Sequence, residues 1–285
     1  MGDHYGKLVR LPYLNTDSTP KEHPLALKND LREEQIMKAL LRRGTISITD
    51  LVEEFEMSAP SIRRDLAKLE ERGLVRRTHG GVTLVEPMLY EPFRHDTSYQ
   101  ARELRFAAEK RRIGFAAAEL VAEGETIGIT AGTTTTQIGR ALRHRRNISV
   151  VTNALNIGME LCNQTAIRTT VTGGLLAWQW TFAMAGSAAI ESIRDIYFSK
   201  LFLSATGFDL KRGVTTLEPE EGAVARAMVQ HATEIIVVAD SSKCGLGSPS
   251  RICSATDVTL LITDKGLSQD SCSAFEAAGI KVLLV

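Results

Sequence analysis

The sequence predicts a multidomain chain: an N-terminal winged helix-turn-helix, α-helical with a small β wing, followed by a larger C-terminal α/β domain on a mostly parallel sheet. Three observations predict it. The length of 285 residues is ample for two domains. Three short helical patterns occur early and end in paired β runs. From about residue 105 onward, helical patterns alternate with short apolar runs.

Residues 1–30 carry Pro12, Pro20 and Pro24 among polar residues without a sustained period, and read as a flexible tail. The winged unit is placed at 31–86. Its first helix covers about 32–43, with Ile36, Ala39 and Leu40 on one face and Gly44 at its end. The second begins after Ser47, which stands in capping-box spacing to Asp50, and buries Leu51, Val52 and Phe55. Ser58 reads as the N-cap of the third, with Pro60 in the first turn, where a missing N–H costs nothing. There Ile62, Leu66 and Leu69 recur at i, i+4 and i+7 and mark the buried stripe. Next, LVRRTHGGVTLV gives two β runs joined across His79-Gly80-Gly81, a hairpin or wing. A stretch punctuated by Pro87 and Pro92 places a linker at 87–104. In the remaining domain, 105–285, the apolar runs are TIGIT, ISVVT, IRTTVTGG, YFSKLFLSAT, TEIIVVAD, VTLLITD and KVLLV. Near-continuous apolar strands separated by helices mark a parallel sheet covered on both faces.

Composition excludes little but directs the search. With 44% hydrophobic and 24% charged residues, the chain is that of an ordinary water-soluble globular protein. The absence of a membrane-length apolar run and of a signal-peptide core predicts a cytoplasmic protein with no membrane partner. Cys162, Cys244, Cys253 and Cys272 are scattered, with no CxxC, which predicts reduced thiols and no metal site; no cofactor is expected. The net charge is zero, so any DNA-binding surface must come from local placement of Arg and Lys.

The third helix offers that placement. Arg64 falls almost opposite its apolar stripe, and Ser61, Arg63 and Lys68 flank it on the outward side. Hydroxyls and cations near the N-terminus of such a helix suit base edges and phosphates in a major groove. Arg76, Arg77 and His79 of the wing would lie along the adjacent backbone. The bland alternative, a solvated helix face and loop, is weakened by the combination of short second helix, basic third helix and basic hairpin.

In the C-terminal domain, TIGIT runs into AGTTTTQIGRAL. A glycine and threonines between a strand and a helix form a turn whose N–H groups and helix dipole attract an anion. A plain capped βα turn is the competing reading. Other strand ends carry compatible groups: Thr152 and Asn153, Gly173 and Gly174, and Asp240 through Lys243, with Lys243 as the natural partner of a phosphate. Trp178 and Trp180 follow the Gly-Gly turn, where packing competes with stacking on a sugar face.

The segment FEMSAPSIRRDLAKLEERGLVRRTHGGVTLV resembles the signature of the DeoR/GlpR family of bacterial transcription repressors, with Ala59-Pro60 in place of a commoner polar pair. The resemblance continues through AEKRRIG, AGTTTT, VVTNAL, VTGG, GFDLKRGVTT and VADSSK. It implies DNA contacts by Ser58, Ser61, Arg63 and Arg64. It implies a sensor fold shared with ribose-5-phosphate isomerase, the phosphate of a sugar effector at Gly132, Thr133, Thr134 and Thr135, and Asn153, Gly173, Asp209 and Lys243 lining the rest. This chain departs from the family at Thr130-Ala131, Ser199, Ser204 and Ala225, where acidic residues or a lysine are usual. The expected partners are double-stranded operator DNA, a phosphorylated sugar and further copies of the chain, as dimer or tetramer. The expected function is a non-enzymatic repressor of carbohydrate-metabolism genes. The rivals are an isomerase with a DNA-binding appendage, opposed by the loss of carboxylates from SKLFLSATGFD except Asp209, and a constitutive DNA-binding oligomer.

Overall fold

The computed structural model describes residues 32–33, 35–40, 43–71, 74–78, 80–84, 97–177 and 181–285. The expected tail, most of the linker, His79, Trp178 and Trp180 lie outside them. Helix α1 runs through 35–40 and is followed by β1 (Thr45–Ser47), α2 (Ile48–Phe55), α3 (Ala59–Glu71), β2 (Val75–Thr78) and β3 (Gly81–Leu84). Ser47 Oγ accepts from the Asp50 N–H and starts α2. Ile36, Leu40, Leu51, Ile62, Leu66, Leu69, Val75 and Val82 close one core. The wing has one more strand than the sequence suggests: β1 pairs antiparallel with β3, in the order β1-β3-β2. Gly81 stands where β1 crosses; a Cβ there would lie 2.7 Å from the Ile46 carbonyl oxygen.

Part of the segment read as linker is helical. Helix α4 (Thr97–Leu104), in the segment read as linker, packs on the α/β domain before α5 (Ala107–Glu119). Its hold is tertiary: the Tyr99 hydroxyl is 2.9 Å from Thr136 Oγ1, and the Glu103 carboxylate meets Arg140 at 2.9 Å. Its short, polar sequence carries no periodicity strong enough to announce a helix.

The seven expected strands are the seven strands of one parallel sheet: β4 (Thr126–Ile129), β5 (Ile148–Thr152), β6 (Ile167–Val171), β9 (Phe198–Leu203), β12 (Ala232–Val238), β14 (Leu260–Thr263) and β15 (Lys281–Leu284). Their order is β15-β14-β12-β9-β4-β5-β6, and every pairing is parallel. Alternate side chains feed opposite faces. Phe202, Ile236 and Val238 pack under α5, α6 (Thr133–Ala141) and α7 (Leu155–Leu161). Leu203, Ile235 and Val237 face α10 (Gln269–Ala277) and a small antiparallel sheet of β10 (Gly207–Asp209), β11 (Gly213–Thr216) and β13 (Ser250–Cys253). Helices α8 (Ser187–Glu191) and α9 (Pro219–Gln230) cover Val151 and Leu201, beside a hairpin of β7 (Leu175–Ala177) and β8 (Ala183–Ala185).

Strand order fixes where a ligand can sit. From β4 the chain winds outward through β5 and β6, then returns to place β9 on the other side of β4. Connections leaving neighbouring strands in opposite directions open a crevice beyond their carboxyl ends. The two domains touch elsewhere: Lys38 Nζ lies 3.8 Å from the Glu119 carboxylate, and the Arg111 guanidinium packs on Gly44.

Candidate functional site

At the crevice beyond β4 and β9 lies a cavity of about 330 Å³. Its floor is the turn Thr130–Gly132 leading into α6. The Thr130 N–H donates to the Phe202 carbonyl at 3.1 Å, and Thr130 Oγ1 accepts from the Ser204 N–H at 2.9 Å, joining the two strand ends. The backbone at Gly132 passes so close to Ser204 that any Cβ would overlap its side chain. Asn153 Oδ1 accepts from the Ala131 N–H at 2.9 Å and holds the turn from the β5 side. Gly132, Thr133 and Thr134 thereby bring the start of α6 into the cavity wall, the end of a helix where N–H groups lack intrahelical partners and the dipole is positive.

Cations surround this end. Arg102 and Arg105 come from α4 and the turn after it, Lys110 from α5, and Lys243 from the 3-10 turn after β12. Carboxylates stand alongside: Glu218 and Glu221 at the start of α9, and Asp240 after β12. Burial pushes the Glu221 carboxyl up to about 7, against the pull of Arg102 and Thr181. Burial lowers the Lys110 ammonium to about 8, with Asp240 offsetting part of the loss. A cavity with an anion-binding helix end, four cations and separate carboxylates can seat a small phosphorylated, hydroxyl-bearing molecule.

Of the effector residues expected from the sequence, Gly132, Thr133, Thr134, Asn153 and Lys243 line this cavity. Three do not. Thr135 is fully buried and its hydroxyl turns back to the Gly132 carbonyl at 3.0 Å. Gly173 lies beyond β6, beside α8. Asp209 accepts the N–H groups of Lys211 and Arg212 at 3.0 and 2.9 Å and shapes the β10–β11 turn. The sequence reading missed Arg102, Arg105, Lys110, Glu221 and, as a lining group, Ser204. The AEKRRIG motif was the one signal that could have flagged Lys110.

On the first domain, Arg63 and Arg64 are exposed on α3, opposite buried Ile62 and Leu66. The hydroxyls of Ser58 and Ser61, at the start of α3, are 3.0 Å apart. Arg76 is exposed on the wing. Arg77 and Lys68 are less available than expected. The Arg77 guanidinium meets Glu70 at 3.1 Å and donates to the Arg63 carbonyl at 2.8 Å, tying wing to helix. Lys68 Nζ lies 3.4 Å from the Glu33 carboxylate. Neither partner was legible, since Glu33 comes from another helix and Glu70 from across a turn. Asp65, on the same helix, is buried and bound by Arg32 at 2.5 and 2.8 Å.

Residues 32–88 match the family model of the DeoR-like helix-turn-helix domain, and residues 105–265 that of the DeoR C-terminal sensor domain. The chain is 32% identical over 273 residues to a protein of Escherichia coli O157:H7 named as an aga operon transcriptional repressor, covering 95% of this chain and 98% of that one. It is 34% identical to the transcriptional repressor AccR of Agrobacterium fabrum, covering 82% and 89%. It is 33% identical to the regulator GlpR of Haloferax volcanii, covering 88% and 96%. Among solved structures, ribose 5-phosphate isomerase A of Neisseria gonorrhoeae overlays 49% of this chain and 54% of its own, about half of each, at 15% identity and a TM-score of 0.37.

Proposed function

Because this chain belongs to the DeoR family of helix-turn-helix transcription regulators, we propose that it represses carbohydrate-metabolism genes and releases its operator when a phosphorylated sugar, or a close analogue, fills the β4–β9 cavity. One observation carries the effector class: the open N-terminus of α6 faces Arg102, Arg105, Lys110 and Lys243 across one cavity. A phosphate fits the helix end and the cations. Hydroxyls of a sugar fit Glu221, Asp240 and Thr216, which line the same space. Release follows from linkage: an effector that weakens DNA binding must itself bind the DNA complex less tightly, by about 1–3 kcal/mol for an ordinary switch.

A thermal-shift panel of pentose and hexose monophosphates, with the free sugars and inorganic phosphate as controls, tests the reading. At 100-fold its dissociation constant a ligand stabilises by ~2.7 kcal/mol. Stabilisation by free sugars and not by phosphates would reject the effector class.

The carboxylates Glu221 and Asp240 in the cavity favour a second reading, isomerase chemistry on the same ligand. Incubating the protein with each stabilising phosphate and following aldose–ketose conversion by NMR separates the two; the repressor reading expects no turnover. The regulator works as a symmetric homo-oligomer held through the α/β domain, because one short winged helix makes too few contacts for specific binding alone. A monomer by light scattering at micromolar concentration would count against that.

A further inference from the structure

We propose that Lys110 ties occupancy of the cavity to the anchoring of α4, the helix into which the chain runs from the DNA-binding unit. The inference rests on the reading of the cavity as an anion site. Lys110 is only 3% exposed, yet it forms part of the cavity wall. Its Nζ donates to the carbonyl oxygens of Arg102 and, at 2.7 Å, of Arg105. Carbonyls in the last turn of a helix have no intrahelical partner. Lys110, one turn into α5, therefore caps the end of α4 across the corner between the two helices.

That corner is strained. Phe106 sits there at φ 57°, in the left-handed region, without being glycine. Such a conformation persists only while surrounding contacts enforce it. Arg102, Arg105 and Phe106 all line the cavity, so the corner is itself part of the ligand's wall. The rest of α4 is fixed to the ligand-binding helix α6. The Tyr99 hydroxyl meets Thr136 Oγ1 at 2.9 Å and accepts from Asn156 Nδ2 at 2.8 Å, and Glu103 pairs with Arg140.

An ammonium has three donors, and the two carbonyls take two. The position of Lys110 in the wall presents the third to a ligand oxygen. With no ligand, burial and the neighbouring charges of Lys243 and Arg102 work against the ammonium, while Asp240 and Glu103 support it. A phosphate oxygen that accepts this third N–H pins the ammonium between the ligand and both carbonyls. Occupancy thus tightens the cap on α4 and the Phe106 corner, at the point where the chain from the wing enters the sensor.

Hydrogen exchange on the full chain, at constant ionic strength, tests this with inorganic phosphate and a panel of pentose and hexose monophosphates as probes. In the wild type, amides of residues 97–106 exchange about fivefold or more slowly once a probe saturates the protein, as an ordinary coupling requires. Lys110→Met keeps the apolar stem without the donor; in it, a saturating probe leaves exchange at 97–106 unchanged. Lys243→Met, which removes a charge beside Lys110 but no hydrogen bond of the cap, binds the probe more weakly but shows at least the wild-type protection at saturation. If a probe binds the wild type and 97–106 do not respond, or respond equally in Lys110→Met, the coupling is wrong and the cavity reading stands. If no probe binds, both fall. The wild-type measurement decides by itself should Lys110→Met not fold.

Discussion

At the scale of single residues, the cavity makes sharp demands on protonation. Glu221 has its carboxyl raised to about 7 by burial, from an ordinary 4.5. The unfolded chain therefore loses this proton first, and the cost of holding the carboxyl in the fold grows as pH rises from 4.5 to 7, then stays constant. Glu221→Gln should raise the melting temperature at pH 8 and leave it nearly unchanged at pH 4, by at most about 3 kcal/mol. Equal shifts at both pH values would show that the carboxyl is not held protonated by its site. Lys110 acts in the opposite sense on ligands: above about pH 8 it loses its charge, so affinity for phosphates should fall on that limb, and Lys110→Met should abolish the limb. Thr134→Val removes a hydroxyl from the cavity wall and nearly keeps the volume of a side chain that is itself buried on α6. It should weaken sugar-phosphate binding by about 1 kcal/mol in calorimetry, the usual worth of one hydrogen bond, with operator affinity intact.

At the scale of elements, α3 has two opposed faces with separate tasks. Arg63 and Arg64 are exposed, while Ile62, Leu66 and Leu69 are buried. Replacing both arginines with Ala should weaken operator binding by about 1–3 kcal/mol for each arginine that reads a base, and should flatten the salt dependence, with the melting temperature unchanged. Wild-type affinity and salt slope in the double variant, measured on an operator selected from genomic DNA, would remove α3 from the interface. Asp65 belongs to the other face. Its carboxylate is 3% exposed and engaged by Arg32 at 2.5 Å. Asp65→Ala strands a partly buried guanidinium and should destabilise the DNA-binding domain by about 3 kcal/mol, read from the urea transition of that domain.

At the scale of the whole molecule, the cores are separate. The cluster built on Ile36, Leu51, Ile62 and Leu66 shares no residue with those of the α/β domain, and the described contacts between domains include an exposed Lys38–Glu119 pair. Separate cores with polar contacts between them unfold separately. Calorimetry should therefore show two transitions, and a bound sugar phosphate should raise only the one that belongs to the α/β domain. A single transition shifted as a unit by ligand would mean that the domains fold cooperatively and that coupling runs through their whole interface.

The sequence alone determined whatever depends on short-range pattern. All seven strands of the parallel sheet were readable from the sequence; the central ones are apolar along their length because both faces are covered, while the edge strands β6 and β15 are partly exposed. The Ser47 cap, the apolar stripe of α3 and the turn at Gly132 were readable for the same reason: each is decided within four to seven residues of chain. What only the tertiary structure decided is which strand ends share a cavity. The return of β9 to the side of β4 brings Ser204 against Gly132 and carries α9 and the turn after β12 into place, so Glu221, Asp240 and Lys243 face Thr134 from distant parts of the chain. The same geometry excludes Thr135, Gly173 and Asp209, whose motifs looked equally suitable. Successive residues of a helix turn by about 100°, and a strand end gains its neighbours from sheet order, so motif membership alone could not tell which side chains converge. Helix α4 is the clearest case: its polar sequence read as linker, and its contacts with α6 and Lys110 make it a wall of the site.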